Sequence, residues 1–381
     1  MKLLRLELMG NAYRSLLPFS EKQFPKNNDF ADQIDPICLV GLNGCGKSNL
    51  LALLSDIFYF LDTYLLEDCY EDSFTCYFPY AHNREKKEIY FMIEYFITLN
   101  GKDEIIRITR KQPTRANAKK SEPIFEIRNQ DKEYILLDFP KLDLRKYLPK
   151  VISYTSGTNE LLSMPYVDMQ DYYGRQITHN INNKKQNNEV PPPKLMFLDY
   201  EVNAAIVVAN YLLSDKKKLD IFQKLLHIEN LERFRVKITT KCIAINVPIK
   251  LTTELRNSIE NLKNCATYSE YEIDAKGYET WHLDYVVTPA VKQAFENKFK
   301  TAKELFEVLY KLNRLNTLCI PKGHRDAIKS KRKEGILLKF PVVATLDKVF
   351  NISKVDMRLE KPHTNTEYMK ISDGEHQLLH I

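Results

Sequence analysis

The sequence predicts an α/β fold, and three stretches of the chain carry that reading. Pro36-Ile-Cys-Leu-Val40 is a short apolar run bounded by a proline, which reads as a buried strand. Gly41-Leu42-Asn43-Gly44-Cys45-Gly46-Lys47-Ser48 follows it, and Asn49 to Asp62 then has the apolar density of a core-facing helix. Further on, Glu88–Leu99 and Glu104–Arg110 flank Asn100-Gly101, the pattern of a hairpin closed by a tight turn. Helical patterns at 201–227, 252–264 and 288–317 complete the mixture, with β-like pieces at 234–245, 281–287 and 335–344.

The glycine-rich loop fits G-x-x-x-x-G-K-[ST] at every fixed position, in the strand–loop–helix context that motif requires. Backbone N–H groups of such a loop, together with the helix N-terminus behind it, cradle a polyphosphate. Lys47 is placed to meet the β- and γ-phosphates and the Ser48 hydroxyl to meet Mg²⁺, so Gly41 through Ser48 are the candidate nucleotide-binding residues, with ATP and Mg²⁺ as ligands.

Other elements follow in chain order. Leu3 to Leu8 alternates as an opening strand, 124–128 and 133–138 extend the β pattern after the hairpin, and Val151-Ile-Ser-Tyr154 reads as a core strand leaving into the loop Thr155–Glu160. Asn180 to Pro193 is asparagine-rich and polar, expected to be a mobile loop and a boundary. No heptad pattern persists long enough for a long coiled coil, and no repeat period is visible.

Composition narrows the class. The 381 residues are 44% hydrophobic and 28% charged, with a net charge of +6, as expected of a soluble protein with a sizeable core. Seven cysteines without C-x-x-C spacing argue against a disulfide framework or a zinc site. Ser55, Asp56 and Asp62 interrupt the longest apolar stretch, so no membrane span is expected, and the chain reads as cytoplasmic. Lys216–Lys218 and Lys329–Lys333, the latter close to Lys322 and Arg325, are basic runs that read first as solvated loops and second as nucleic-acid contacts.

Near the other end, Ser372-Asp373-Gly374-Glu375 has the S-x-x-E spacing of a capping box, so a helix should start there and run through Gln377-Leu-Leu-His380. A capped helix start with a serine and a glycine is a second place suited to a phosphate. Ile371-Ser-Asp-Gly-Glu-His-Gln377 resembles the signature motif of ABC-type ATPases, L-S-G-G-Q in transporters and L-S-G-G-E in the SMC/RecF-like class. Leu3–Leu8 followed by Asn11-Ala-Tyr-Arg14-Ser-Leu16 is similar to the opening strand and N-F-R-S-L turn of RecF-like heads. With the β-rich arm and no coiled coil, the chain resembles the restriction-associated, Septu-type antiphage ATPases of the PtuA family, some of which accompany retrons.

That resemblance implies an ABC-type head that dimerises around two ATP molecules, Ser372, Asp373, Gly374 and Glu375 of one subunit meeting the γ-phosphate held by the other. It implies an HNH nuclease partner and, in the retron case, a reverse transcriptase with its DNA and RNA. The expected layout is 1–175 for the first part of the head with the phosphate loop and β-arm and 176–193 for the mobile loop. A mainly helical insertion at 194–330 and a return to the head at 331–381 complete it. By the same resemblance the Walker B acid and catalytic glutamate belong beyond Ile381, so either the sequence is truncated, which a helix ending at its second turn favours, or the protein binds nucleotide without efficient hydrolysis; the catalytic residue is unknown. A RecF/SMC-like DNA-repair ATPase shares these motifs and stands as the alternative. A transporter subunit is disfavoured by the 325-residue separation of Lys47 and Ser372, and a GTPase by Asn297-Lys-Phe-Lys300, which lacks the aspartate that reads guanine.

Overall fold

The computed structural model describes residues 1–24, 36–66, 88–113, 121–155, 162–166, 169, 171, 173–174, 191–242, 244, 248–333, 338, 340–360, 364–372 and 374–376. Helices and sheets are mixed throughout, as an α/β chain requires. The alternation in Leu3–Leu8 builds β1 (Lys2–Met9), which turns Leu3, Leu6 and Leu8 into the core. It belongs to a six-stranded antiparallel sheet with β2 (Phe19–Gln23), β3 (Tyr90–Leu99), β4 (Lys102–Arg110), β5 (Ile124–Arg128) and β6 (Tyr134–Leu136), in the order β2-β1-β3-β4-β5-β6. Asn100 and Gly101 both take positive φ, 50° and 77°, and Leu99 pairs with Lys102, so the Asn-Gly pair makes the two-residue turn its chemistry favours. Glu94 is buried in this sheet and accepts from Arg107 Nη2 at 3.0 Å and Tyr134 Oη at 2.6 Å, with Arg5 at 3.5 Å. Several donors on one carboxylate make its burial tolerable.

Across the sheet lies α1 (Lys47–Leu66), with Phe60 edge-on to Phe91 at 6.3 Å and Phe58 tilted against Tyr95 at 5.9 Å. By length and composition this helix could cross a membrane; here it is mostly buried core, and its Asp62 is wholly enclosed. A short α2 (Lys141–Leu144) leads to a parallel pair, β7 (Val151–Tyr154) and β8 (Leu195–Leu198), with Ser153 opposite Phe197.

Beyond it, α3 (Asn203–Leu213) and α4 (Lys216–Leu226) precede a second sheet, five-stranded and antiparallel in the order β10-β11-β9-β12-β13. Its strands are β9 (Ile228–Thr239), β10 (Tyr268–Ile273), β11 (Glu279–Val286), β12 (Phe350–Leu359) and β13 (Asn365–Glu367), with α5 (Thr253–Cys265), α6 (Pro289–Lys298), α7 (Ala302–Arg314) and α8 (Lys322–Lys333) among them. Thr252, Thr288 and Thr301 each cap their helix by accepting from a backbone N–H. Phe234 stacks on Tyr285 with centroids 4.3 Å apart, and the Tyr285 hydroxyl donates to the Leu262 carbonyl at 2.9 Å, fixing α5 on the sheet.

Several expectations change. Residues 36–40 form no strand, and Val40 is 88% exposed; a five-residue run headed by proline finds no ladder partner among the described residues. Among the described residues of 335–344 there is no strand either; the β segment falls later, at β12. The stretch 194–330 carries β8 to β11 besides its helices, and β12 pairs with β9, so the second sheet spans the boundary expected at 330/331. Arg325, in the basic run, is buried and bonds Asp171 at 2.6 Å, which makes it a packing residue. Residues 156–161, 175–190, Asp373 and 377–381 lie outside the described residues, and with them most of the expected Thr155–Glu160 loop and of the 176–193 boundary.

Candidate functional site

The phosphate loop is set by its glycines. Gly44 and Gly46 adopt φ of 84° and 93°, values side-chain-bearing residues resist, and a Cβ on Gly46 would stand 2.8 Å from Leu16 Cδ2. Gly41 is held close to Cys45, whose Sγ is 2.7 Å from where a Cβ would stand. The Lys47 ammonium bends back over the loop, donating to the Gly41 carbonyl at 2.6 Å and the Leu42 carbonyl at 2.8 Å. It thus lies across the mouth of the turn. Leu42, Asn43, Gly44, Cys45 and Ser48 are exposed, and α1 begins at Lys47, so the first-turn N–H groups of a 20-residue helix face outward. Such an arrangement can hold a polyphosphate, and the Ser48 hydroxyl can reach a cation carried by it.

The turn at 13–16 abuts this loop. Tyr13 and Leu16 exchange backbone hydrogen bonds at 2.9 and 2.8 Å, Arg14 sits at φ 54°, and Asn49 Nδ2 donates to Ser15 Oγ at 2.6 Å. Beneath it, Tyr13 Oη donates to buried Asp56 at 2.5 Å, with Arg14 Nη2 at 4.0 Å from the same carboxylate. Burial lifts Asp56 to a pKa of about 6, against the opposing pull of the Tyr13 hydrogen bond and the Arg14 charge. The sequence singled out Asn11–Leu16 for its resemblance alone; its physical place is a buttress for the phosphate loop.

The direction of the parallel strands follows from two anchors on α1. The Lys194 N–H, just before β8, donates to Asp62 Oδ2 at 2.7 Å. The Tyr166 hydroxyl, raised in pKa by burial, lies close enough to the Ser55 and Ser153 side chains for both to pull it the other way, and Ser153 pairs with Phe197. Asp62 to Ser55 is seven residues, about 10 Å along a helix, and Lys194 to Phe197 is three, about 10 Å along a strand. The strands therefore run antiparallel to α1, toward the phosphate loop. Asp199 lies two residues further on, about 7 Å closer to the loop along the strand.

Carboxyl ends of parallel strands are where α/β sheets place ligands. Asp199 is an acidic strand end that the sequence reading did not select, although four apolar residues before an aspartate announce it; Arg314 Nη1 stands 3.7 Å from it. The second motif reaches the same end of the strands. Tyr368 is buried and its hydroxyl is pushed up by that burial, with Tyr200 and Tyr154, at the ends of β8 and β7, adding to the effect. Four residues later the capping box forms as expected: Glu375 Oε2 accepts from the Ser372 N–H at 2.8 Å and the Ser372 hydroxyl at 2.7 Å, while the Glu375 N–H reaches Ser372 Oγ at 3.4 Å. The Ser372 hydroxyl and then its N–H hold Glu375 below the usual glutamate range. Ser372 and Gly374 are exposed, and His376 packs edge-on against Tyr368 at 4.4 Å.

Among the described residues no group of three or more His, Cys, Asp or Glu side chains is arranged to hold a metal ion. No family model matches the sequence, and no curated protein or solved structure matches it at a level that marks a relative.

Proposed function

We propose that this chain is the nucleotide-binding head of an ABC-type ATPase that binds ATP with Mg²⁺, closes head-to-head with a second copy, and through that closure controls a partner nuclease in antiphage defence. One observation carries the nucleotide reading: Lys47 arches over a loop of two positive-φ glycines at the N-terminus of a long buried helix. A triphosphate entering there exchanges the lysine's two carbonyl contacts for a charge-assisted one and gains the loop and helix N–H groups. Mg²⁺ would be held by the Ser48 hydroxyl and phosphate oxygens.

Closure is supported by what flanks the two motifs. Leu17, Val40, Leu42 and Met369 are 76%, 88%, 85% and 77% exposed, apolar side chains that a second copy would cover. Ser372, Asp373, Gly374 and Glu375 would then meet the γ-phosphate of the partner copy. The nuclease partner, of HNH type, the retron reverse transcriptase with its nucleic acid, and a cytoplasmic location rest on the resemblance of the motifs.

Calorimetric titration with ATP·Mg²⁺ tests the reading. Lys47→Ala should weaken binding at least tenfold, the equivalent of about 1.4 kcal/mol for one charge-assisted contact; affinity within threefold of the parent overturns it. Ser372→Arg should bind ATP almost normally yet fail to dimerise with ATP in a mass measurement. DNA-stimulated hydrolysis in the absence of any nuclease would turn the reading toward the RecF-like alternative.

A further inference from the structure

The second sheet ends in an edge that no described element covers. β10 pairs with β11 on one side and with no described strand on the other, and all six of its residues, Tyr268 to Ile273, are exposed. The Asp274 N–H donates to the Tyr278 carbonyl at 3.0 Å, and the antiparallel ladder alternates from that pair. Glu272, Glu270 and Tyr268 therefore turn their backbone groups toward β11, while those of Ser269, Tyr271 and Ile273 point outward. Glu279, opposite Ile273, agrees with this phase, because its carbonyl accepts the Thr240 N–H on the far side. The other end of the same sheet is β13, only three residues long. A six-residue edge with three free N–H and three free C=O groups is a template for an added strand.

The side chains select the occupant. Glu270 and Glu272 share one face of β10, opposite His282 and Thr280, and neither has an ion-pair partner among the described residues. Neighbouring carboxylates are matched instead: Asp284 by Arg233 and Arg235, Glu279 by Arg256. Lys237 lies on the same row as His282 and Glu270 but two strands from Glu270, about 10 Å. On the other face Tyr271 and Ile273 are 46% and 59% exposed, Tyr271 against Trp281 at 5.3 Å. A second copy of this edge fits poorly. The two symmetric antiparallel registers that pair five residues set Glu270 against Glu270, or Glu270 against Glu272 twice, and like charges directly opposite repel. We infer that β10 receives an extended segment of a partner protein in which Lys or Arg alternates with apolar residues. Its cations lie about 5 Å from Glu270 and Glu272 on one face, and its apolar side chains cover Tyr271 and Ile273 on the other. The inference goes beyond the nucleotide reading and stands whether or not ATP binds at Gly41–Ser48.

The test uses the full chain without nucleotide and three fluorescent peptides followed by anisotropy. They are a Lys-Val-Lys-Val-Lys-Val peptide, its Glu-Val twin, and a fully N-methylated Lys-Val peptide that keeps the charges and loses every N–H donor. The first should bind at least tenfold tighter than either of the others. Glu270→Lys with Glu272→Lys, both on exposed side chains, should reverse the order of the two charged peptides. Ser269→Pro removes an N–H from the outward edge and none from the β10–β11 ladder, so it should weaken the Lys-Val peptide at least tenfold with an unchanged thermal midpoint. Where that midpoint falls, the charge-reversed variant decides. Equal binding of the N-methylated peptide would reveal charge attraction without strand addition and overturn the inference. An unchanged peptide order in the charge-reversed variant would overturn it too. A dimer of the parent chain that Ser269→Pro dissociates in a mass measurement would assign the edge to a second copy, against the inference.

Discussion

Asp62→Ala is the perturbation that most directly tests how this fold is fastened. The carboxylate is wholly buried and takes two short hydrogen bonds, from Arg145 Nε at 2.6 Å and the Lys194 N–H at 2.7 Å. Arg145 is itself only 8% exposed at its side chain, so removing Asp62 leaves a buried guanidinium with its countercharge gone. Breaking a buried pair from one side costs about 3–5 kcal/mol, because the remaining ion keeps its desolvation penalty. Asp62→Asn retains an acceptor for the Lys194 N–H while losing the charge, so its cost should be smaller, about 1–3 kcal/mol. The comparison pair is Lys263–Glu260 on α5, at 3.4 Å with both side chains well exposed, where Glu260→Gln should cost under about 0.5 kcal/mol. Urea unfolding followed by circular dichroism gives each difference from the shift in midpoint and the common slope. The expected order is Ala, then Asn, then the surface control. An Asp62→Ala protein within about 1 kcal/mol of the parent would refute the assignment of this carboxylate as the anchor between α1, Arg145 and β8.

Two further outcomes follow from the phosphate-loop region. Asp56 has a folded pKa of about 6 against 3.8 for the free group, so it is neutral in both states below pH 3.8, and stability is lost as pH rises through the window to 6. Asp56→Asn should therefore stabilise the protein by about 1–3 kcal/mol at pH 7.5, a gain that vanishes by pH 4 in parallel urea titrations; a pH-independent difference would contradict it. Gly44→Ala and Gly46→Ala both force a side chain into positive φ, but only Gly46 also meets Leu16 at 2.8 Å. Gly44→Ala should cost about 1 kcal/mol and Gly46→Ala about 1–2 kcal/mol more by thermal unfolding, and equal losses would show that Leu16 yields freely.

Local chemistry made much of this molecule legible from its sequence. Asn100-Gly101 fixed its own turn because both residues tolerate positive φ, and Ser372 and Glu375 found each other because a capping box spans only three residue steps. The helical patterns at 252–264 and 288–317 announced α5, α6 and α7 by period, and the structure adds a threonine cap at the start of each. What escaped was non-local. Pro36–Val40 has the composition of a buried strand, but a strand exists only where a partner offers its ladder, and no pattern within five residues encodes that. The pairing of β12 with β9 joins residues more than a hundred positions apart, so the boundary drawn at 330/331 by composition could not anticipate it. Arg325 looked like part of a solvated basic run because its neighbours are lysines; its partner Asp171 is 154 residues away.

Asp199 shows how direction turns a weak signal into a candidate. Alone, Leu195–Leu198 followed by an aspartate is one apolar run among many. Bonded at Lys194 to the far end of α1, and with Phe197 paired to Ser153, which shares the neighbourhood of Tyr166 with Ser55 of α1, the strand runs toward the glycine-rich loop. Tyr200 and Tyr154, one beside each strand end, are near enough to Tyr368, four residues before the Ser372 cap, to add to the rise of its hydroxyl pKa. The same rigid helix therefore has the glycine-rich loop, a strand-end acid and a capped serine toward one terminus, and the buried Asp62–Arg145 pair toward the other. A displacement of the loop end of α1 therefore bears on β8 through groups already fixed to the helix.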